Sequence, residues 1–169
     1  MAALQRITTE YIEAEDRVRL TGEFAPEQTM VLWLTQRLLN RLLPHLFKRL
    51  NAQTGDGLAA DIRQEFAQQA AMAALQSQAA VHRQSQSETW LVHSVNVLHD
   101  AQGVHLIFKS VDVPADMEVA SLTLQAQPLR QWLTILHDQC RKSEWPLNVW
   151  PPWVGAVRSA STHPPVLMH

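Results

Sequence analysis

Eight histidines and a single cysteine are the side chains through which this chain could do metal or nucleophilic chemistry. His137 and Cys140 stand three residues apart, which places both on one helix face. A structural zinc site needs two further ligands, and neither HxH nor HExxH occurs. His93, His99 and His105 recur every six residues across a hairpin. With Leu98 set opposite Val104, His93 falls opposite Lys109 and His105 opposite Val97, on one face but not adjacent. Solvated strand histidines and a packed cysteine account for this set. Cys140 lies in an apolar stripe, where burial raises a thiol pKa and works against a nucleophile. No metal or other cofactor is expected, His137 and Cys140 being the nearest approach to a ligand pair.

Other chemistries fail on spacing. Gly55-Asp56-Gly57 is the one close glycine pair among five glycines, and it follows no strand and precedes no Lys-Ser/Thr. Dinucleotide fingerprint, P-loop and nucleophile elbow are all absent. Glu10, Glu13, Glu15, Asp16, Asp112 and Asp116 cluster near turns, as solvated carboxylates do, with no spacing that sets up an acid/base pair. A different constellation could bind rather than react. Read on one helix, Trp33, Arg37 and Arg41 are successive i, i+4 neighbours with Asn40 beside them, a strip suited to a protein surface or exposed bases. The alternative is an intrahelical Trp–Arg pair on a solvated surface, or a Trp33 covered by the C-terminal tail. Two arginines on a chain of net charge −2 would neutralise few phosphates, so a nucleic-acid partner is not expected.

The elements that must position these residues begin with the segment from Glu27 to Leu50. On a helical wheel Val31, Leu32, Leu34, Leu38, Leu39, Leu42, Leu43, Leu46 and Leu50 fill roughly half the circumference, against a usual stripe near ~100°. Such a helix must bury two flanks. Pro26 opens it and Pro44 predicts a kink or break near Asn40. Gln36, Arg37, Asn40 and Arg41 interrupt it, so it is not a membrane span. Before it, residues 5–24 alternate as a hairpin around Glu13–Asp16. After it, Leu58 to about His82 predicts a second helix with a stripe of Leu58, Ile62, Phe66, Ala70, Ala73 and Ala80. A hairpin follows from Thr89–Leu98 and Val104–Ser110, with Val104, Leu106 and Phe108 facing the core. Asp112–Asp116 turns into a strand over Glu118–Ala126, and Pro128 starts a last helix to about Lys142, with Leu129, Trp132, Leu133, Leu136 and Cys140 on one side. No internal repeat is visible.

These elements predict an α+β domain over residues 1–143, an antiparallel sheet of N-terminal hairpin plus three-strand meander, with a helical hairpin and a C-terminal helix, in the order ββααβββα. Residues 144–169, with Trp145, Trp150, Trp153 and five of the nine prolines, read as an irregular tail. A chain of 169 residues is long enough to bury a core. Its start lacks the apolar run of a secretory signal and its lone cysteine suits a reducing compartment, so the cytoplasm is expected.

The functional expectation is a non-enzymatic protein that associates with itself, as a homodimer, or with another protein, and not with a membrane. The Leu38–Leu50 portion, with Leu39, Leu46 and Leu50, and the tryptophans Trp145, Trp150 and Trp153 would form the interface. The alternative is an enzyme or small-ligand binder with a pocket between sheet and helices, using His93, His105 or the His137/Cys140 pair. The third is a weak nucleic-acid binder through Trp33, Arg37 and Arg41.

Overall fold

The structure is a computed structural model that describes residues 1–55, 57, 59–111 and 117–161, with the backbone alone for 157–161. Its elements run β1 (Ala2–Leu4), β2 (Arg6–Ile12), β3 (Arg17–Ala25), β4 (Gln28–Leu34), α1 (Gln36–Thr54), α2 (Ala60–Ala73), β5 (Glu88–His99), β6 (Val104–Ser110), β7 (Glu118–Leu124), α3 (Ala126–Lys142) and α4 (Pro152–Ser161). A short 3-10 turn, Glu13–Glu15, joins β2 to β3.

The sheet is mixed, not antiparallel, and the order is not ββααβββα. Its seven strands lie in the order β1-β7-β6-β5-β4-β3-β2. β1 pairs β7 and β4 pairs β5 in parallel, and every other neighbouring pair is antiparallel. The two edge strands of that order, β1 and β2, are consecutive in the chain. Through Leu4 the chain pairs with β7; at Gln5 its N–H turns to the Glu23 carbonyl of β3, 2.8 Å away. One bent strand therefore joins both edges, and the sheet is a nearly closed barrel.

The largest departure from expectation is β4. Residues from Gln28 to Leu34 are a strand, and the helix begins at Gln36, with Thr35 at its N-cap accepting the Leu38 N–H. Met30, Val31, Leu32 and Leu34 are all buried, so both faces of β4 are covered, and a strand covered on both faces reads as a continuous apolar run. Pro26 and Glu27 form the tight turn between β3 and β4, Glu27 taking φ 60°. With β4 removed, the apolar residues of α1 form the one-sided stripe Leu38, Leu39, Leu42, Leu43, Leu46, Phe47 and Leu50. α1 runs unbroken through the exposed Pro44.

The second helix ends at Ala73, not His82, and it faces the other way. Gln64, Gln68 and Ala71 are its buried residues, while Ile62 and Phe66 are 56% and 67% exposed. The glutamines are inside because they have partners there: Gln64 Nε2 donates to Asn51 and Thr54 of α1, and Gln68 Nε2 to the Arg130 carbonyl and Thr134 of α3. Leu58 and the Asp112–Asp116 turn lie outside the described residues. Beyond α2 an irregular strap, residues 75–87, returns across the sheet; Val81 is buried and its N–H donates to Thr8 Oγ1.

The barrel contains a duplication. β2-β3-β4-α1 and β5-β6-β7-α3 are each a three-strand meander followed by a helix. Val18 and Leu20 of β3 oppose Leu34 and Leu32 of β4, as Val104 and Leu106 of β6 oppose Leu124 and Leu122 of β7. Each helix starts two residues past its strand, with the N–H of Leu39 on the Thr35 carbonyl and that of Leu129 on the Gln125 carbonyl. Leu39, Leu42, Leu43, Leu46, Phe47 and Leu50 recur at the same spacing as Leu129, Trp132, Leu133, Leu136, His137 and Cys140, all buried. Each helix packs on the first strand of the other half, α1 on β5 and α3 on β2. Both junctions between halves are the parallel pairs. One hydrophobic core, shared by both halves, fills the space between sheet and helices.

Candidate functional site

The expected tail is part of the core. Trp145, Trp150 and Trp153 are all buried, and residues from Pro152 form α4. Phe47 of α1 meets Trp150 and Trp153 edge-on, at 5.5 and 5.9 Å between ring centroids. Leu39, Leu46 and Leu50 are buried in the same core. The residues expected at an intermolecular interface are thus spent inside the subunit, because the breadth of apolar surface attributed to one helix belongs to a strand and a helix.

The weak ligand candidates His137 and Cys140 are both buried on α3. His137 stacks edge-on against Trp150, 4.9 Å between centroids, and Cys140 is buried, its thiol pushed up to about 12 by that burial. Among the described residues no three His, Cys, Asp or Glu gather as a metal site would require. In the second hairpin His99, not Leu98, opposes Val104, and Leu98 opposes His105. That one-residue slip sets His105 opposite Leu98 in place of Val97; on the face of β6 away from Leu106, its ring bonds Thr123 Oγ1 and Asp100 Oδ2. Trp33 is separated from the arginines: it is half-buried on β4 opposite Arg19, while Arg37, Asn40 and Arg41 are exposed on α1. The i, i+4 strip requires a helix at Trp33, and there is none.

A different grouping forms instead. α1 and β5 diverge around a cleft of about 430 Å³. Its helix side carries Arg37, Arg41 and His45, four residues apart on one face, and its strand side carries His93 and Ser94. Leu38, Leu42, Leu91, Val92, Val95 and Val97 supply the apolar lining. The cleft thus joins Arg37 and Arg41 to His93, and adds His45, which the sequence signals only as the third member of a basic i, i+4, i+8 series. Arg37, Arg41, His45 and His93 are all exposed, and among the described residues none forms an ion pair. The described lining holds no carboxylate and no cysteine. Two guanidinium groups above an apolar floor suit an amphipathic anion, the arginines holding carboxylates in bidentate pairs while apolar groups enter the cleft.

A second cationic feature is internal. Arg130 of α3 is buried and, among the described residues, has no carboxylate partner. Its guanidinium donates to Gln64 Oε1 at 2.7 Å and Gln68 Oε1 at 3.3 Å, and lies over Trp153, 5.5 Å from the ring centroid. Burial pulls its pKa down, and the amide oxygens and indole face replace water around a charge that stays protonated. This network ties α2, α3 and α4 together.

Compared with known protein families, curated proteins and solved structures, the chain matches none. Among the described residues no helix is long and apolar enough to cross a membrane.

Proposed function

We propose that the protein is a non-enzymatic interaction module that holds an acidic segment of a partner protein in the α1–β5 cleft. One observation carries this reading: four basic side chains without ion-pair partners converge, among the described residues, on an apolar groove that contains no acid. A partner protein is favoured over a second copy because the leucines and tryptophans suited to self-association are buried in the core. A cytoplasmic setting fits, since one unpaired thiol is at home where thiols stay reduced.

The test is an NMR titration of the protein with a short peptide of glutamates and serines carrying one phenylalanine. Saturable shifts should concentrate on residues 35–45 and 91–97, weaken with salt, and fade in the double variant Arg37→Glu/Arg41→Glu, with affinity falling about tenfold or more. Absence of saturable shifts, or shifts concentrated on another surface, would overturn the reading.

A further inference from the structure

The duplicated halves differ at one place that bears on what the cleft receives. The groove between α3 and β2 is the counterpart of the α1–β5 cleft, and it is filled from within. The indole of Trp132, on α3, is buried there and donates Nε1–H to Thr9 Oγ1 of β2 at 3.0 Å. Gln131, beside it, donates from Nε2 to the Ala71 carbonyl of α2 at 2.8 Å. In the other half the position of Trp132 is held by Leu42, by its spacing from Leu39, Leu43 and Leu46. Thr9 opposes Leu20 as Val97 opposes Leu106, so Val97 takes the place of Thr9. Gln131 corresponds to Arg41, which is exposed. The ring, its hydrogen-bond acceptor and the amide beside them are therefore all replaced at the α1–β5 cleft.

We infer that the partner segment supplies what the α3–β2 groove supplies for itself: an aromatic side chain seated over Leu42 and Val97, with acceptor oxygens beside it for Arg41 and Arg37. This deepens the reading of the cleft as an acidic-segment site and rests on it. The ring is phenylalanine-like and not indole, since Val97 offers no side-chain acceptor where Thr9 takes the Trp132 N–H, and an unpaired indole N–H is costly to bury. The acceptors are carboxylates and not neutral carbonyls, since the charged guanidinium groups of Arg37 and Arg41 stand where α3 has the neutral amides of Gln127 and Gln131. Buried aromatic anchors ringed by polar contacts are the usual source of affinity at such surfaces.

The experiment compares two peptides of glutamates and serines, one with a central phenylalanine and one with alanine in its place, by fluorescence polarisation. They are tested against the wild-type chain, against Leu42→Trp, and against Leu42→Trp/Val97→Thr, which installs both the ring and its acceptor as in the α3–β2 groove. The wild-type chain should bind the phenylalanine peptide at least about tenfold more tightly than the alanine peptide. Both variants should lose that preference, to within about twofold, while still melting cooperatively, the double variant guarding against failure of the single one to fold. Equal binding of the two peptides by the wild-type chain, with loss on Arg37→Glu/Arg41→Glu, would overturn the aromatic anchor and leave the acidic-segment reading standing. Retention of the preference in a folded Leu42→Trp/Val97→Thr variant would place the ring elsewhere and also overturn the anchor. Binding of neither peptide would overturn both.

Discussion

Tyr11 is the chain's one tyrosine, and it anchors the tail through a single carboxylate. Its hydroxyl donates to Asp16 Oδ1 at 2.8 Å, Trp145 Nε1 donates to the same oxygen at 2.8 Å, and the two rings meet edge-on at 5.5 Å. The hydrogen bond to Asp16, then desolvation and the charge of Asp16, raise the phenol from 10.0 to about 12. Hydrogen bonds from Tyr11 and then Trp145 lower the Asp16 carboxyl. A raised phenol stabilises the fold below pH 10 and loses that contribution as pH climbs through about 12. A lowered carboxyl does so above its unfolded value, and the contribution disappears as acid takes the pH through the folded value. Tyrosinate absorbance reports Tyr11 alone, so its midpoint should sit near 12 in the folded protein and near 10 in denaturant. Asp16→Asn should move the folded midpoint down toward 10, and an unmoved midpoint would break the assignment. The sequence placed Tyr11 and Asp16 on one hairpin, since alternation and an acidic turn are local signals. Trp145 lies too far along the chain for any pattern to join it to them, and the same distance hides the encirclement of Arg130 by Gln64, Gln68 and Trp153.

At the scale of elements, the hairpins were legible and the helix boundaries were not. Val104, Leu106 and Phe108 face the core as their alternation requires, and α3 buries Leu129, Trp132, Leu133 and Leu136 on the predicted side. Glu27–Leu34 misled because an apolar run carries no period: a strand buried on both faces and the start of a buried helix look alike. α2 misled differently. Its apolar positions define a stripe, yet the fold buries the glutamines, because Asn51, Thr54, Arg130 and Thr134 offer hydrogen bonds that Ile62 and Phe66 cannot make. Local amphipathicity yields when the surroundings of a helix are polar. With Gln28–Leu34 a strand, α1 is a one-sided helix packed in the core of its own chain. Leu46 is fully buried, so Leu46→Asp would place a charge in the core at a cost comparable with the whole stability of a domain, about 5–15 kcal/mol. The expected outcome is an unfolded chain by circular dichroism. A folded monomer released from a dimer would restore the self-association reading of this helix.

At the scale of the molecule, closure of the barrel depends on a close approach of the first strand to β3. A Cβ at Gly22 would lie 2.7 and 2.9 Å from the two methyls of Leu4, so glycine is what lets β1 lie across β3 on its way to β7. Gly22→Val should cost about 1–3 kcal/mol in urea unfolding, the usual effect of overpacking, with faster amide exchange in β1 and β7. Leu4→Ala in the same chain should recover part of that loss, the coupling expected of residues in contact; strictly additive effects would show that the two do not meet. Read alone, the chain reveals the parts that depend on near neighbours: the turns at Glu13–Asp16 and after His99, the alternation of β2, β3 and β6, and the one-sided stripe of α3. Those signals are set by residues two to four positions apart, which one reading of the chain contains. The tertiary structure alone decided the closure of the sheet, its two parallel junctions, the inward face of α2, the duplication and the basic cleft. Each of these joins residues distant in sequence, and the two halves are alike in register and burial while their side chains differ, as Trp132 and Leu42 show.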